Sequence, residues 1–203
     1  MDHPDFKNTA ISSFEKYLQD KVLVKQEHLP PLLEMISFKS IQKQEFLLSK
    51  GDVCEHAFFV LSGLLRMYSI DKNGKEHLLQ FAPENWFVSD RGSIYFSQPS
   101  NYFIDAIEDS MVIMFDRSFT EKASSISPEF RNYNEYLLQN HVRQLQNRIN
   151  LLIGADAEKR YLDFINQYPD LFGRVPQWMI ASYLGITPES LSRVRKALHK
   201  RNP

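Results

Sequence analysis

The segment PQWMIASYLGITPESLSRVRKALHK, close to the C-terminus, concentrates the side chains best suited to chemistry. Glu189, Ser192, Arg193, Lys196 and Lys200 recur at i, i+3, i+4, i+7 and i+11, which puts them on one face of a helix. An arginine grips guanine with two hydrogen bonds, and a glutamate accepts one from the amino group of cytosine. Arg193 and Glu189 are therefore the candidates for reading bases, with Ser192 on the same stripe. Thr187, Ser190, Arg195, Lys196 and Lys200 are candidates for phosphate contacts, which fix register and add salt-dependent affinity.

Such a stripe works only if something holds the helix. Leu191, Val194 and Leu198 line the opposite face for docking. Thr187 is a good N-cap, and Pro188 suits the first helical position, where its missing N–H costs nothing. Upstream, Ile180, Ala181 and Leu184 give a preceding helix an apolar inner face, with Ala181 small enough for close approach. Gly185 follows where a left-handed residue ends a helix, and Ile186 plugs the gap between the two. The segment reads as a helix-turn-helix; an ordinary helical hairpin with a solvated face would not need all these features together. Charge agrees. From Gly173 onward six basic residues face one acid, Glu189, a net of +5 on a chain whose formal total is −1, so residues 1–172 carry −6.

The rest of the chain divides by pattern. Its hydrophobic fraction of 43% is ordinary for a globular protein. Ile11, Phe14 and Leu18 give residues 8–19 the spacing of a short helix, and Pro30-Pro31 introduces a second over 30–37. From about Lys39, short apolar runs (EFLL, HAFFVL, GLLRMYSI, HLLQFA, YFIDAI, MVIMF) alternate with turn signals, the pattern of a β-sandwich or barrel. Asn73-Gly74 is the strongest hairpin signal. After Phe119 the pattern turns helical. Pro128 opens a stretch free of further proline and glycine to about Gly154, in which Leu138, Val142, Leu145, Ile149 and Leu152 are spaced 4, 3, 4, 3. That is a coiled-coil seam, read either as a dimer contact or as a helix packed on its own domain. Residues 155–168 form another amphipathic helix with Tyr161, Leu162 and Ile165 inward.

These residues resemble the Crp/Fnr family of bacterial transcription regulators over nearly the whole chain. The resemblance rests on LSGLLRMY, DKNGKEHLLQFAPENWF, the long helix and ITPESLSRVRKAL, where Glu189, Ser192 and Arg193 match a Glu-x-x-Ser-Arg recognition pattern. It implies an α+β chain in three parts. Residues 1–125 form a double-stranded β-helix (jelly-roll) sensor of the cyclic-nucleotide-binding type, 126–154 a dimerisation helix, and 155–203 the helix-turn-helix with a truncated wing. It further implies a homodimer on a palindromic site in double-stranded DNA, acting with RNA polymerase in the cytoplasm.

The sensor departs from the family. Its cyclic-nucleotide binders use a Gly-Glu pair and, ten residues after the Glu, an Arg-Ser pair; Ser89-Asp90 and Ser100-Asn101 stand at those positions. Ser100 cannot replace an arginine fork on a phosphate. Arg91 either reaches in or pairs with an acid outside. Neither cAMP nor cGMP is expected, and the effector is another small ligand or none. One cysteine, Cys54, is too few for an iron–sulfur cluster and reads as a buried strand residue. His3, His28, His56, His77, His141 and His199 show no metal-ligand spacing, and Trp86 and Trp178 read as core. No signal peptide, membrane span, phosphate-cradling loop, nucleophile elbow or zinc-hydrolase motif stands out, so an enzyme is not expected. The competing reading is a β-roll module that senses a ligand and regulates a protein partner without reading DNA.

Overall fold

The structure, a computed structural model, describes residues 4–201, with side chains from residue 11 onward. His3 lies outside the described residues. Helix α1 (Pro4–Tyr17) continues into a wider turn at Leu18–Val22, and α2 (Leu29–Leu33) begins on the two prolines. The helix expected over 30–37 is shorter than its pattern: Ser37 already pairs with Met114 in a sheet.

Eight strands follow: β1 (Ser37–Ile41), β2 (Phe46–Leu48), β3 (His56–Ser62), β4 (Leu65–Ile70), β5 (Glu76–Ala82), β6 (Phe87–Val88), β7 (Phe103–Ala106) and β8 (Ser110–Asp116). They form two four-stranded sheets, ordered β1-β8-β3-β6 and β2-β7-β4-β5, the jelly-roll expected. Long-range antiparallel pairs such as Phe58↔Met114 and Met67↔Ile104 set the register. Phe59, Leu64, Leu65, Phe81, Ile104 and Ile113 are fully buried. A close approach explains Gly63: it sits at φ +91°, and a Cβ there would meet Asp109 O at 2.6 Å and the Ser110 side chain. The Asn73-Gly74 turn forms as read. Gly74 takes φ +79° and its N–H donates to Asp71 O at 3.0 Å.

Three short elements lacked a sequence signal: β1, β6 and α3 (Arg91–Phe96). Cys54 is buried but precedes β3 and belongs to no strand; burial raises its thiol pKa.

Asp116 caps α4 (Arg117–Ile126), accepting from Phe119 N at 2.7 Å. After it, α5 (Pro128–Gly154) runs unbroken for 27 residues. Asp156 caps α6 (Ala157–Gln167), whose inner residues are Tyr161 and Phe164. Leu162, expected inside, is 43% exposed, because Phe164 at i+3 from Tyr161 takes the inner position. The last two helices are α7 (Gln177–Leu184) and α8 (Pro188–Arg201). Trp178 is likewise not core; it lies on the solvent side of α7.

Contacts divide the chain into two compact units. One holds the residues up to Ser69 with Gln80–Leu138; the other joins Ile70–Leu79 to the chain from Gln139. The hairpin tip between β4 and β5 thus belongs with the helix-turn-helix.

Candidate nucleic-acid interface

The α7–α8 junction is built by local chemistry. Gly185 sits at φ +66°, its N–H donates to Ser182 O at 3.1 Å, and Ile186 N donates to Ala181 O at 3.0 Å. This paired closure satisfies the carbonyls that the end of α7 leaves free. A Cβ at Gly185 would approach Leu152 Cδ2 at 3.2 Å, so the glycine also permits close packing on α5. Thr187 Oγ1 accepts from Ser190 N at 3.3 Å, capping α8 as its type predicts. Ile180, Ala181, Leu184 and Leu191 are buried beneath the turn, while Val194 and Leu198 are half-buried.

The opposite face of α8 carries the expected stripe. Glu189, Ser192, Arg193, Lys196 and Lys200 are all exposed. Arg193 Nη2 donates to Ser190 Oγ at 3.0 Å, which limits the guanidinium's freedom before any ligand arrives. The Glu189 carboxyl is held below the ordinary carboxylate range by its own backbone N–H, then by the Thr187 hydroxyl and the nearby Arg193 charge. Base-reading candidates and capping residues thus form one ordered cluster.

Arg195 points elsewhere. It is half-buried, with its guanidinium 4.6 Å from the centre of the Phe172 ring and its charge acting on the Tyr161 hydroxyl. Six residues after Glu189, it falls on the docking flank of the helix. Arg201 pairs with Glu158 at 2.6 Å.

Sequence reasoning did not find Arg160. Its Nε donates to Ala155 O and its Nη1 to Leu184 O, both at 3.0 Å, so one guanidinium ties the end of α5 to the end of α7. All five N–H donors of an arginine lie on one planar fork, a geometry that suits such bridging. No local pattern marks this role, because its acceptors lie 5 and 24 residues away.

Along α5 the five seam residues are between 38% and 56% exposed, and Ile153 beside them is 82% exposed.

At the sensor positions, Asp90 and Ser100 come together. Both are buried, and Ser100 Oγ donates to Asp90 Oδ2 at 2.7 Å. Asp90 Oδ1 accepts from Ser93 N at 3.0 Å, capping α3. Arg91 does not join them; its guanidinium lies 5.2 Å from the centre of the Tyr95 ring. Asn101 is exposed and Ser89 half-buried. A solvent-open depression of about 420 Å³ elsewhere on the roll includes Cys54, His56 and Asp116 among its walls and none of the expected sensor residues. Among the described residues no group of three or more His, Cys, Asp or Glu is placed to hold a metal ion, and no helix is long and apolar enough to cross a membrane.

The chain thus combines a β-roll, a long helix and a helix-turn-helix, and residues 38–125 match the cyclic nucleotide-binding domain family. The electron transport regulator A of Shewanella oneidensis is 28% identical over 167 residues, 77% of this chain and 66% of that protein. An anaerobic regulatory protein of Pasteurella multocida is 27% identical over 173 residues, 80% of this chain and 63% of that one. This chain thus spans just under two thirds of the length of these curated relatives. The solved structure of FixK2 from Bradyrhizobium japonicum superposes with a TM-score of 0.69 at 20% identity, covering 82% of this chain and 86% of that one. Residues 38–125 thus belong to the cyclic nucleotide-binding domain family, and over most of its length the chain is similar to regulators of the Crp/Fnr kind.

Proposed function

We propose that this chain is a sequence-specific, non-enzymatic transcriptional regulator that reads a palindromic DNA site as a homodimer. The observation that carries the reading is α8, where Glu189, Ser192, Arg193, Lys196 and Lys200 are all exposed while Leu191 opposite is buried. That arrangement suits a recognition helix in a major groove, with Arg193 and Glu189 on base edges and Thr187, Ser190, Lys196 and Lys200 toward phosphates. Arg195, assigned to phosphate from sequence, serves in this reading to brace α8 through Phe172 and Tyr161.

The exposed seam on α5 supports a two-fold dimer in which each copy covers the other's Leu145 and Ile149. Two reading heads then meet half-sites about one helical turn, roughly 34–36 Å, apart. RNA polymerase is the partner such a regulator works with, in the compartment that holds the chromosome. In this reading a cyclic nucleotide is not the effector, which is another small ligand or none: Asp90 brings a negative charge where a phosphate needs a positive one, and Arg91 rests on Tyr95 instead.

Mobility-shift selection against fragments of the native genome tests the reading. Retention of a small set of fragments, weakening steeply as salt rises, is expected. Retention without sequence preference at any salt concentration would refute it.

A further inference from the structure

Strand β5 lies at the end of its sheet, so its outer backbone groups have no neighbouring strand. An open edge of this kind needs partners. Two side chains of the helical unit supply them to the hairpin segment Ile70–Leu79, which belongs to that same unit. Ser182 Oγ, on α7, donates to Glu76 O at 2.9 Å and accepts from Leu78 N at 3.1 Å. One hydroxyl thereby makes the two bonds that a paired strand would make. Arg148, on α5, donates through Nη2 to Leu78 O at 2.8 Å and to Tyr183 O at 3.2 Å, and through Nη1 to Leu79 O. Its guanidinium also lies 3.8 Å from the centre of the Tyr183 ring.

Ser182 and Tyr183 are consecutive residues in the last turn of α7, immediately before the Gly185 turn that launches α8. Tyr183 O is one of the carbonyls a helix end leaves without an internal partner, and a cation there is favourable. The hairpin that receives α7 is itself braced. Asp71 Oδ1 accepts from Asn73 N at 2.8 Å and Lys75 N at 3.1 Å, and Asp71 Oδ2 meets His77 Nε2 at 2.9 Å. Neither Arg148 nor Ser182 belongs to the solvent stripe of α8.

We propose that Arg148 and Ser182 are positioning residues for DNA recognition: they seat α7 on the hairpin 70–79 and so fix the attitude of α8, without touching DNA. The inference rests on the DNA-binding reading above. It makes the hairpin a working part of the reading head.

The test is DNA affinity as a function of salt for the full chain and for Ser182→Ala, Ser182→Thr and Arg148→Lys, on a fragment selected by the unaltered protein. Circular dichroism and light scattering on the same samples report folding and oligomeric state. Lysine keeps the charge of Arg148 but loses the planar fork that reaches several carbonyls at once. Ser182→Ala and Arg148→Lys should each weaken binding roughly fivefold or more, a typical coupling between linked sites. The slope of log affinity against log salt should stay that of the unaltered chain, because no phosphate contact is lost. Ser182→Thr, which keeps the hydroxyl, should bind within about twofold of the unaltered chain, well below that coupling. Unchanged affinity in folded Ser182→Ala and Arg148→Lys overturns the proposal, as does a salt slope reduced by about one in a further variant, Arg148→Gln, which removes the charge and would thereby mark Arg148 as a phosphate ligand. Loss of the fold in both variants overturns it too, since the contact would then be a general support. Failure of the unaltered chain to select any fragment would bring down the DNA-binding reading itself and the inference with it.

Discussion

Asp90 and Ser100, ten residues apart in sequence, share a buried hydrogen bond of 2.7 Å, and the same carboxylate takes the Ser93 N–H at 3.0 Å. One acid therefore caps α3 and closes the loop that returns to β7. Losing a cap costs on the order of 1 kcal/mol, and leaving the Ser100 hydroxyl without its acceptor costs about 1–3 kcal/mol more. Asp90→Ala should lower unfolding free energy in urea by about 2–4 kcal/mol. A change below about 0.5 kcal/mol, the range of ordinary surface substitutions, would show the pair to be incidental. Because this acid stands where a phosphate would need a cation, cAMP and cGMP should produce no saturable rise in Tm of the unaltered protein.

Acid should weaken the fold in a defined window. The Asp116 carboxyl is held below the ordinary range chiefly by the Phe119 N–H it caps, and the Asp71 carboxyl chiefly by His77. Their folded-state values lie below their unfolded ones. The stability they contribute is therefore fully present above about pH 4 and is lost as pH falls through the folded values. Urea midpoints should be flat from pH 7 to about 5 and fall below about 4. Asp116→Asn keeps a good N-cap but removes the titration, so its acid decline should be shallower. An identical decline in that variant would rule Asp116 out as a contributor.

The features legible in the sequence were those written within a few neighbouring residues. Asn73-Gly74, Gly185 and Thr187-Pro188 each form the turn or cap that their types require, and α5 runs from Pro128 to Gly154 as the pattern indicated. Features set by distant partners were not legible. Strand β1 exists because Ser37–Ile41 meets β8 across the roll, although SFKSI carries little apolar signal. Phe164 displaced Leu162 from the interior, and Arg195 turned toward Phe172, because neighbouring elements decide which flank of an amphipathic helix is covered. Ser182 finds its partners 104 and 106 residues away, a pairing that no local window contains.

The seam on α5 gives the next prediction. Leu145 is 46% exposed and Ile149 56% exposed, in line with Leu138, Val142 and Leu152. If two copies cover this stripe, light scattering at micromolar concentration should give about twice the chain mass of 23.8 kDa. Leu145→Glu places two unpaired charges in a symmetric contact, each costing on the order of 3–5 kcal/mol when buried. That variant should scatter as a monomer while keeping its circular dichroism spectrum. A persistent dimer in Leu145→Glu would move the interface to another surface.

Arg193 and Lys196 lie three residues apart on the exposed face of α8, yet they should fail in different ways. Arg193 is held by Ser190 at 3.0 Å, on the turn of α8 nearest its N-terminus, where a recognition helix approaches base edges. Arg193→Ala should cost about 1–3 kcal/mol on the selected site and relax the preference at one base pair of each half-site. Lys196 lies a turn further on and offers a single mobile charge. Lys196→Ala should weaken selected and unselected fragments alike and lower the salt slope by about one. Competition binding with single-base variants of the site separates the two behaviours. Intact selectivity in Arg193→Ala would mean that another residue of the stripe reads that base. Selectivity lost in Lys196→Ala with the salt slope intact would exchange the two roles.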